Sequence, residues 1–291
     1  MAEVIENFFH YYSRQGIFTA PKYFASLMDD LPTAISSLCE VTQGLFLHKG
    51  WEKLYNHEVD SKRANDHEIR YVLDLLDQIG WRDERPLPET RDLAKRIIGT
   101  SRHFAIFLTT LLRHRQIPAR VRVGYVNYLR PGMYIEHWVC EYWLEIDRRW
   151  VIVDPILDKA HMDALDILFN QFDISDRKFI NGGKAWMLLR SGKVPEESFR
   201  GFSGTGTENV KGTLLRDFLA FNKLEILPWD GWGLITKEER FLSSTDIDDL
   251  TMVATLLNSG DDGYRKLRLM YDTDKRFQMP DRWNGLKKED W

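Results

Sequence analysis

Only two cysteines, Cys39 and Cys140, occur in the 291 residues. They are too few for a disulfide framework and suit a reducing compartment. No apolar run approaches the roughly 18 residues of a membrane span, and Met1 to Gln15, which carries Glu3 and Glu6, has no signal-peptide core. Charge of one sign is missing too. Lys plus Arg number 40 against 44 Asp plus Glu, a formal charge of −4 with no like-charged tail. That balance argues against nucleic acid or a membrane as partner. The histidines lack metal spacing, since neither His57-Glu58 nor His67-Glu68 extends to a two-histidine helical zinc motif. Phe202-Ser203-Gly204-Thr205-Gly206-Thr207 lacks the Lys of a phosphate loop and reads as a flexible loop. The expectation is a cytoplasmic globular protein without metal or cofactor.

Hydrophobic residues at 43% and aromatics at 13%, ten of them Trp, are ample for a core. The first third reads as helical. Ile35, Leu38, Cys39, Thr42 and Phe46 follow one helix face; Ile69, Val72, Leu73 and Leu76 repeat the spacing, with Gly80 where a C-terminal cap is expected. Pro86 and Pro88 mark a stiff connection. Phe104, Ala105, Leu108, Leu111 and Leu112 form another stripe that stops before Pro118, and the period then changes to two. Val121, Val123 and Tyr125 or Val126 alternate, as do Trp138, Cys140, Tyr142 and Leu144. Asp147-Arg148-Arg149 reads as a hairpin turn, with Trp150 to Val153 as the return strand. Beyond Asp154, Leu214 to Leu224 and Ile247 to Leu257 look helical, the latter behind a capping box at Thr245-Asp246-Ile247-Asp248. One helix followed by antiparallel strands implies an α+β fold. The expected organisation is a single domain, with an N-terminal helical region at 1–91, a core at 92–158 and a helical and loop region at 159–291 packed on it.

Three residues stand in an order that suits acyl transfer: Ser101 where a helix pattern begins, His137 in an extended segment, and Asp154 at the end of the return strand. A nucleophile at a helix N-terminus feels the positive end of the helix dipole. A histidine takes its proton, and a carboxylate fixes the tautomer and orientation of that histidine. Alternation puts His137, Val139 and Glu141 on one face of their strand and Trp150, Ile152 and Asp154 on one face of the next. If the two strands pair through the turn at Arg148, His137 and Asp154 come near matching ends. Cys140 then faces away from His137.

Gly99 to Ala105, Leu111-Leu112-Arg113, Ile117-Pro118-Ala119-Arg120, Gly124-Tyr125, His137-Trp138 and Asp154-Pro155 together resemble the transglutaminase-like core of the papain-like cysteine-protease superfamily. His137 to Trp143 and Leu227 to Gly233 are similar to bacterial transglutaminase-domain proteins. The resemblance implies a nucleophile helix packed on an antiparallel sheet, with Ser101 in the nucleophile position that the family gives to cysteine, His137 as base and Asp154 as orienting acid. It also implies an oxyanion hole with a side-chain donor upstream of the nucleophile, for which Gln43 and Trp51 are candidates beside the Ser101 backbone N–H. The aromatic segment around Trp229 and Trp232 is core packing or a lid.

The implied activity is an acyl transferase or amidase. Its substrate is an amide or thioester, its acceptor an amine or water, and its route an acyl-enzyme. Serine alters the chemistry, because a hydroxyl cannot be pre-ionised as a thiol of pKa about 8.5 can and must pass its proton to a neutral His137 during attack. Two alternatives stand beside this reading: a silent transglutaminase-like binding protein, and an engineered Cys-to-Ser form of a Cys-His-Asp enzyme.

Overall fold

In the computed structural model, residues 2–202, 204–283 and 286–287 are described. Helix α4 (Ser101–His114) is buried along its whole length up to Arg113, so its polar residues as well as its apolar stripe need partners inside the protein. Thr110 donates to the carbonyl of Thr19 at 3.0 Å, and the Arg113 guanidinium reaches the Ala119 carbonyl at 2.9 Å and the Thr19 hydroxyl at 3.0 Å. The arginine of the Leu111-Leu112-Arg113 motif thus ties the end of the helix to the start of the strand that follows it.

The chain divides into two compact units, Met1–Val121 with Trp138–Ser175, and Arg122–His137 with Asp176–Trp291. The first unit holds α1 (Ala2–Ser13), α2 (Ile35–Leu45), α3 (Val72–Arg82), α4 and the short α5 (Lys159–Ala164). Strands β1 (Phe46–His48) and β2 (Ile97–Gly99) pair in parallel, with His48 opposite Gly99. Strand β3 (Ala119–Val126) begins beside β4 (Tyr134–Leu144), where the Trp143 N–H donates to the Pro118 carbonyl at 2.9 Å. On its other side β4 pairs antiparallel with β5 (Arg149–Val153), Cys140 opposite Val153 and Leu144 opposite Arg149. The expected hairpin turn is present. Arg148 takes the left-handed backbone with φ of 50°, a conformation that turns tolerate in non-glycine residues.

A buried charge pair, Arg120 with Glu141 at 2.5 Å, crosses from β3 to β4, and the guanidinium lies 4.0 Å over the Trp150 ring. The ring of Tyr12 in α1 lies 5.2 Å from the same cation and packs edge-on against Trp150. Removing one partner of such a buried pair typically costs about 3–5 kcal/mol.

In the second unit the later residues of β3 pair antiparallel with β6 (Phe179–Asn181). The first residues of β4 pair in parallel with β7 (Phe199–Gly201), which turns back into β8 (Gly204–Thr205). Among its described residues the unit also holds helices α6 (Gly182–Arg190), α7 (Gly206–Phe221), α8 (Ser244–Asn258) and α9 (Tyr264–Thr273). Arg122 meets Asp217 of α7 through two hydrogen bonds of 2.9 Å, and the Val123 N–H adds a third at 2.9 Å. Among the described residues no helix is long and apolar enough to cross a membrane.

Three local expectations are corrected. Gly80 lies inside α3, which runs on to Arg82 before Asp83 caps it. Residues 204–207 are not simply loop, because β8 and the start of α7 fall there, and Ser203 lies outside the described residues. The cap of α8 sits two residues earlier than expected. The Ser243 hydroxyl accepts from the Asp246 N–H at 3.1 Å, and the Asp246 carboxylate accepts from the Ser243 N–H at 2.9 Å. Lys237 also binds that carboxylate at 2.7 Å, and its hydrogen bond, with that of the Ser243 N–H, holds the Asp246 pKa down to about 2.

The cap position has a direct test. Ser243→Ala should lower the unfolding free energy by about 1 kcal/mol, whereas Thr245→Ala should change it by less than about 0.5 kcal/mol. Urea unfolding of the two variants measures both, and equal losses would place the cap elsewhere.

Candidate active site

The N-terminus of α4 follows directly from β2. Thr100 takes an extended backbone, with φ of −100° and ψ of 174°, and is the N-cap. Its N–H donates to Nδ1 of His103 at 3.0 Å, and its hydroxyl lies 3.1 Å from the same nitrogen. Nε2 of His103 lies 3.0 Å from the Ile69 carbonyl, which can only accept. The neutral tautomer with hydrogen on Nε2 accepts from the Thr100 N–H and donates to the Ile69 carbonyl. Burial, with the Arg102 charge next, pushes the His103 pKa well down and keeps that ring neutral. Gly99 is needed for this turn, because a Cβ there would stand 2.9 Å from Cβ of His103.

Ser101 is therefore the first residue inside the helix and not its cap. Its side chain, 3% exposed, accepts a hydrogen bond from the Trp138 backbone N–H at 3.3 Å. The contact fixes the hydroxyl on strand β4, one residue along the chain from His137. His137 itself is buried in β4, its ring 6.4 Å from that of Tyr128.

Asp154 follows β5 and is fully buried. One carboxylate oxygen accepts from the Ile156 N–H at 3.2 Å, and its own N–H donates to the Gln171 carbonyl at 3.2 Å. The β4–β5 register pairs Glu141 with Ile152. In an antiparallel ladder opposite residues share a face, so Val139 and Glu141 lie on the face of Ile152 and Asp154. Gln43 directs its side-chain amide at the Pro155 carbonyl, 3.2 Å away, and its own carbonyl accepts from Arg96 at 3.1 Å. The contacts thus join Ser101 to Trp138 and Gln43 to Pro155.

Trp51, the other candidate donor, leads to a cluster that the sequence reading missed. Its ring packs edge-on against His161 at 5.0 Å. Asp158 caps α5 and accepts from the His161 ring at 2.8 Å and from the Tyr55 hydroxyl at 2.6 Å. Burial alone would raise the Asp158 carboxyl, but the hydrogen bonds from His161 and Tyr55 outweigh it and hold the pKa low. Burial and Asp158 together push the Tyr55 phenol up. The available signal was Asp158 three residues before His161, just past Asp154-Pro155; Tyr55, a hundred residues away in the chain, gave none.

Both cysteines are free and buried. Burial pushes the Cys140 thiol up to about 12, and Thr109 donates to its sulfur at 3.2 Å. Burial, then the proximity of Cys140, raises Cys39 well above the usual thiol range. Among the described residues no three His, Cys, Asp or Glu side chains cluster as metal ligands.

Residues 58–155 match the family model of the transglutaminase-like superfamily. The matched stretch begins well before the motif-bearing segment at 92 and ends at Pro155, so it takes in Ser101, His137 and Asp154 but neither Gln43 nor the Asp158–His161 pair. An α+β fold accompanies the match. Comparisons with curated proteins and with solved structures gave no match.

The thiol environments predict native silence. With iodoacetamide at pH 8 the folded protein should take up no label on Cys39 or Cys140, and two labels once unfolded, because the thiolate fraction of each is suppressed by burial. Intact mass reads the count. A label on the folded protein would contradict the burial of that thiol.

Proposed function

We propose that the protein is an acyltransferase or amide hydrolase of transglutaminase-like type, working through Ser101, His137 and Asp154 by way of an acyl-enzyme. The observation that carries the reading is the placement of Ser101. Thr100 and His103 cap the helix, so the serine side chain is not needed for that task and instead meets the backbone beside His137. Strand alternation assigns His137 to the face of Val139, the face that the β4–β5 register gives to Asp154.

In this mechanism Ser101 Oγ bonds to the substrate carbonyl carbon as its proton passes to His137. The imidazolium then protonates the leaving amine or thiol as the old bond to carbon breaks, which leaves an ester on Ser101. Water or an amine attacks that ester, gives its proton to His137, and Ser101 recovers a proton as the product departs. Asp154 fixes the imidazole tautomer. Gln43 or Trp51, with the Ser101 N–H, is assigned to the oxyanion. The acceptor is an amine or water; nucleic acid and membrane are not assigned as partners, and the compartment is the cytoplasm.

A silent binding scaffold is the second reading, and the 3% exposure of Ser101 favours it. An introduced serine in a cysteine enzyme is the third. Acyl electrophiles separate them. Activated-ester labelling followed by intact mass should mark the parent at Ser101 and leave Ser101→Ala unmarked. Ser101→Cys should label at least about tenfold faster, and His137→Ala in that background should remove most of the gain. Equal labelling of Ser101→Cys with and without His137 would rule out a working site.

A further inference from the structure

A cleft in the first unit takes no part in the acyl-transfer reading. Its volume of about 360 Å³ falls in the range of roughly 300–1,000 Å³ found for small-molecule sites. The chain after α1, the short 3-10 helix Lys22–Met28 and the end of α4 surround it. Ser101 opens α4 and Arg113 lies twelve residues further on. At 1.5 Å per residue the two are about 18 Å apart along the helix, so the cleft is not part of the surroundings of Ser101.

Ala20, Pro21 and Ala25 line the cleft with short apolar side chains, and among the described residues no acidic side chain lines it. Three permanent cations do: Arg14, Lys22 and Arg113. Arg113 is 1% exposed, and the Ala119 carbonyl and Thr19 hydroxyl that it meets are neutral. Salt screens such a buried charge little. His114 also lines the cleft, with Asp29 as its partner at 2.8 Å. The ends of α1 and α4 bring about half a negative charge each, which leaves the lining positive.

Lys22 stands there at a local cost. Its φ of 47° lies in the left-handed region, which favours glycine, asparagine and aspartate over lysine. It also opens a helix, the end at which the dipole disfavours a cation. The three-residue period of a 3-10 helix sets Lys22, Ala25 and Met28 on one face; Met28 is buried, and the other two line the cleft. Among the described residues the Lys22 ammonium makes no hydrogen bond or ion pair, and Asp74 of α3 feels its charge from further off. Gln116 is a second such case on the lining. Its φ is 58°, its N–H donates to the Arg113 carbonyl, and the Ile117 N–H donates to the Leu112 carbonyl, both at 3.0 Å. Glycine ordinarily takes that position after a helix. Two long side chains are thus kept on one cleft where the backbone favours other residues, and such costs collect at ligand sites.

We propose that the cleft binds a small organic anion, a carboxylate with a compact apolar body. Lys22 and Arg14 meet the carboxylate, Arg113 supports it through the field of its buried charge, and Ala20, Pro21 and Ala25 receive the body. Neither the cleft nor its charge depends on acyl transfer.

Isothermal titration of the full chain with mandelate is the test. Mandelate should bind saturably at a single site, and mandelamide, the same body without the charge, at least about tenfold more weakly. Lys22→Asn should weaken mandelate at least about fivefold. The same variant should melt at a higher temperature, because asparagine accepts the left-handed backbone and a cation leaves the helix start. A lysine with a structural role alone would give the reverse, a lower melting temperature and an unchanged affinity. Ala25→Glu, with unchanged circular dichroism, should abolish binding by placing a carboxylate and added bulk in the cleft. Ser101→Ala should bind mandelate as the parent does. Absent binding, equal binding of mandelamide, or an affinity that Lys22→Asn and Ala25→Glu leave alone overturns the site, the last marking an adventitious ion only. Loss of binding in Ser101→Ala overturns it as well, because the anion would then sit beside Ser101.

Discussion

Thr100 and His103 close the first turn of α4 between them, and the use that can be made of Ser101 follows from that pairing. The free N–H groups at a helix start must find acceptors, and a serine near the start is the usual supplier. Here the extended Thr100 and a histidine locked in its neutral tautomer take the task. The imidazole is held in turn by the Ile69 carbonyl, and the close approach of His103 to residue 99 requires glycine. A change at Gly99 or His103 would therefore reach Ser101 through the backbone, with no contact to its side chain.

A second constraint is the number of arginines inside the protein. Arg102, Arg113, Arg120 and Arg216 are among the largest fully buried side chains. A guanidinium cannot shed its charge, so each must be met by carbonyls, carboxylates or rings. Arg102 reaches the Arg70 carbonyl at 2.6 Å, and Arg120 takes Glu141 and the Trp150 face. These partners fix element to element with directional bonds, which apolar packing alone does not do.

Periodicity made α2, the α4 stripe and the β4–β5 hairpin legible, because each is set by residues within a few positions of one another. The same local reasoning failed where the sequence offers two solutions. Ser243 with Asp246, and Thr245 with Asp248, both fit a capping box; Lys237 decides between them, since its ammonium is bound to Asp246. Gly80 looked like a cap but sits inside a helix that runs on through an exposed Trp81 to Arg82, whose guanidinium binds Asp66. The start of a helix at Ser101 followed from the pattern. The pairing of Tyr55 with Asp158, or of Arg122 with Asp217, did not. Partners about a hundred residues apart leave no mark in spacing, and only the folded backbone brings them together.

Burial has also divided the nucleophiles. The Cys140 and Cys39 thiols are pushed out of the reactive range by loss of solvent, so neither stands in for Ser101 as a thiolate. The hydroxyl is under a different demand. Its oxygen has two lone pairs and one proton, and accepting from the Trp138 N–H uses one lone pair while leaving the proton to be donated. That same N–H can stabilise the oxygen as charge grows on it when the proton leaves, and the helix start adds its positive potential. In the acyl-transfer mechanism proposed above, a serine at this position has that support for attack but still requires a base, the role proposed for His137.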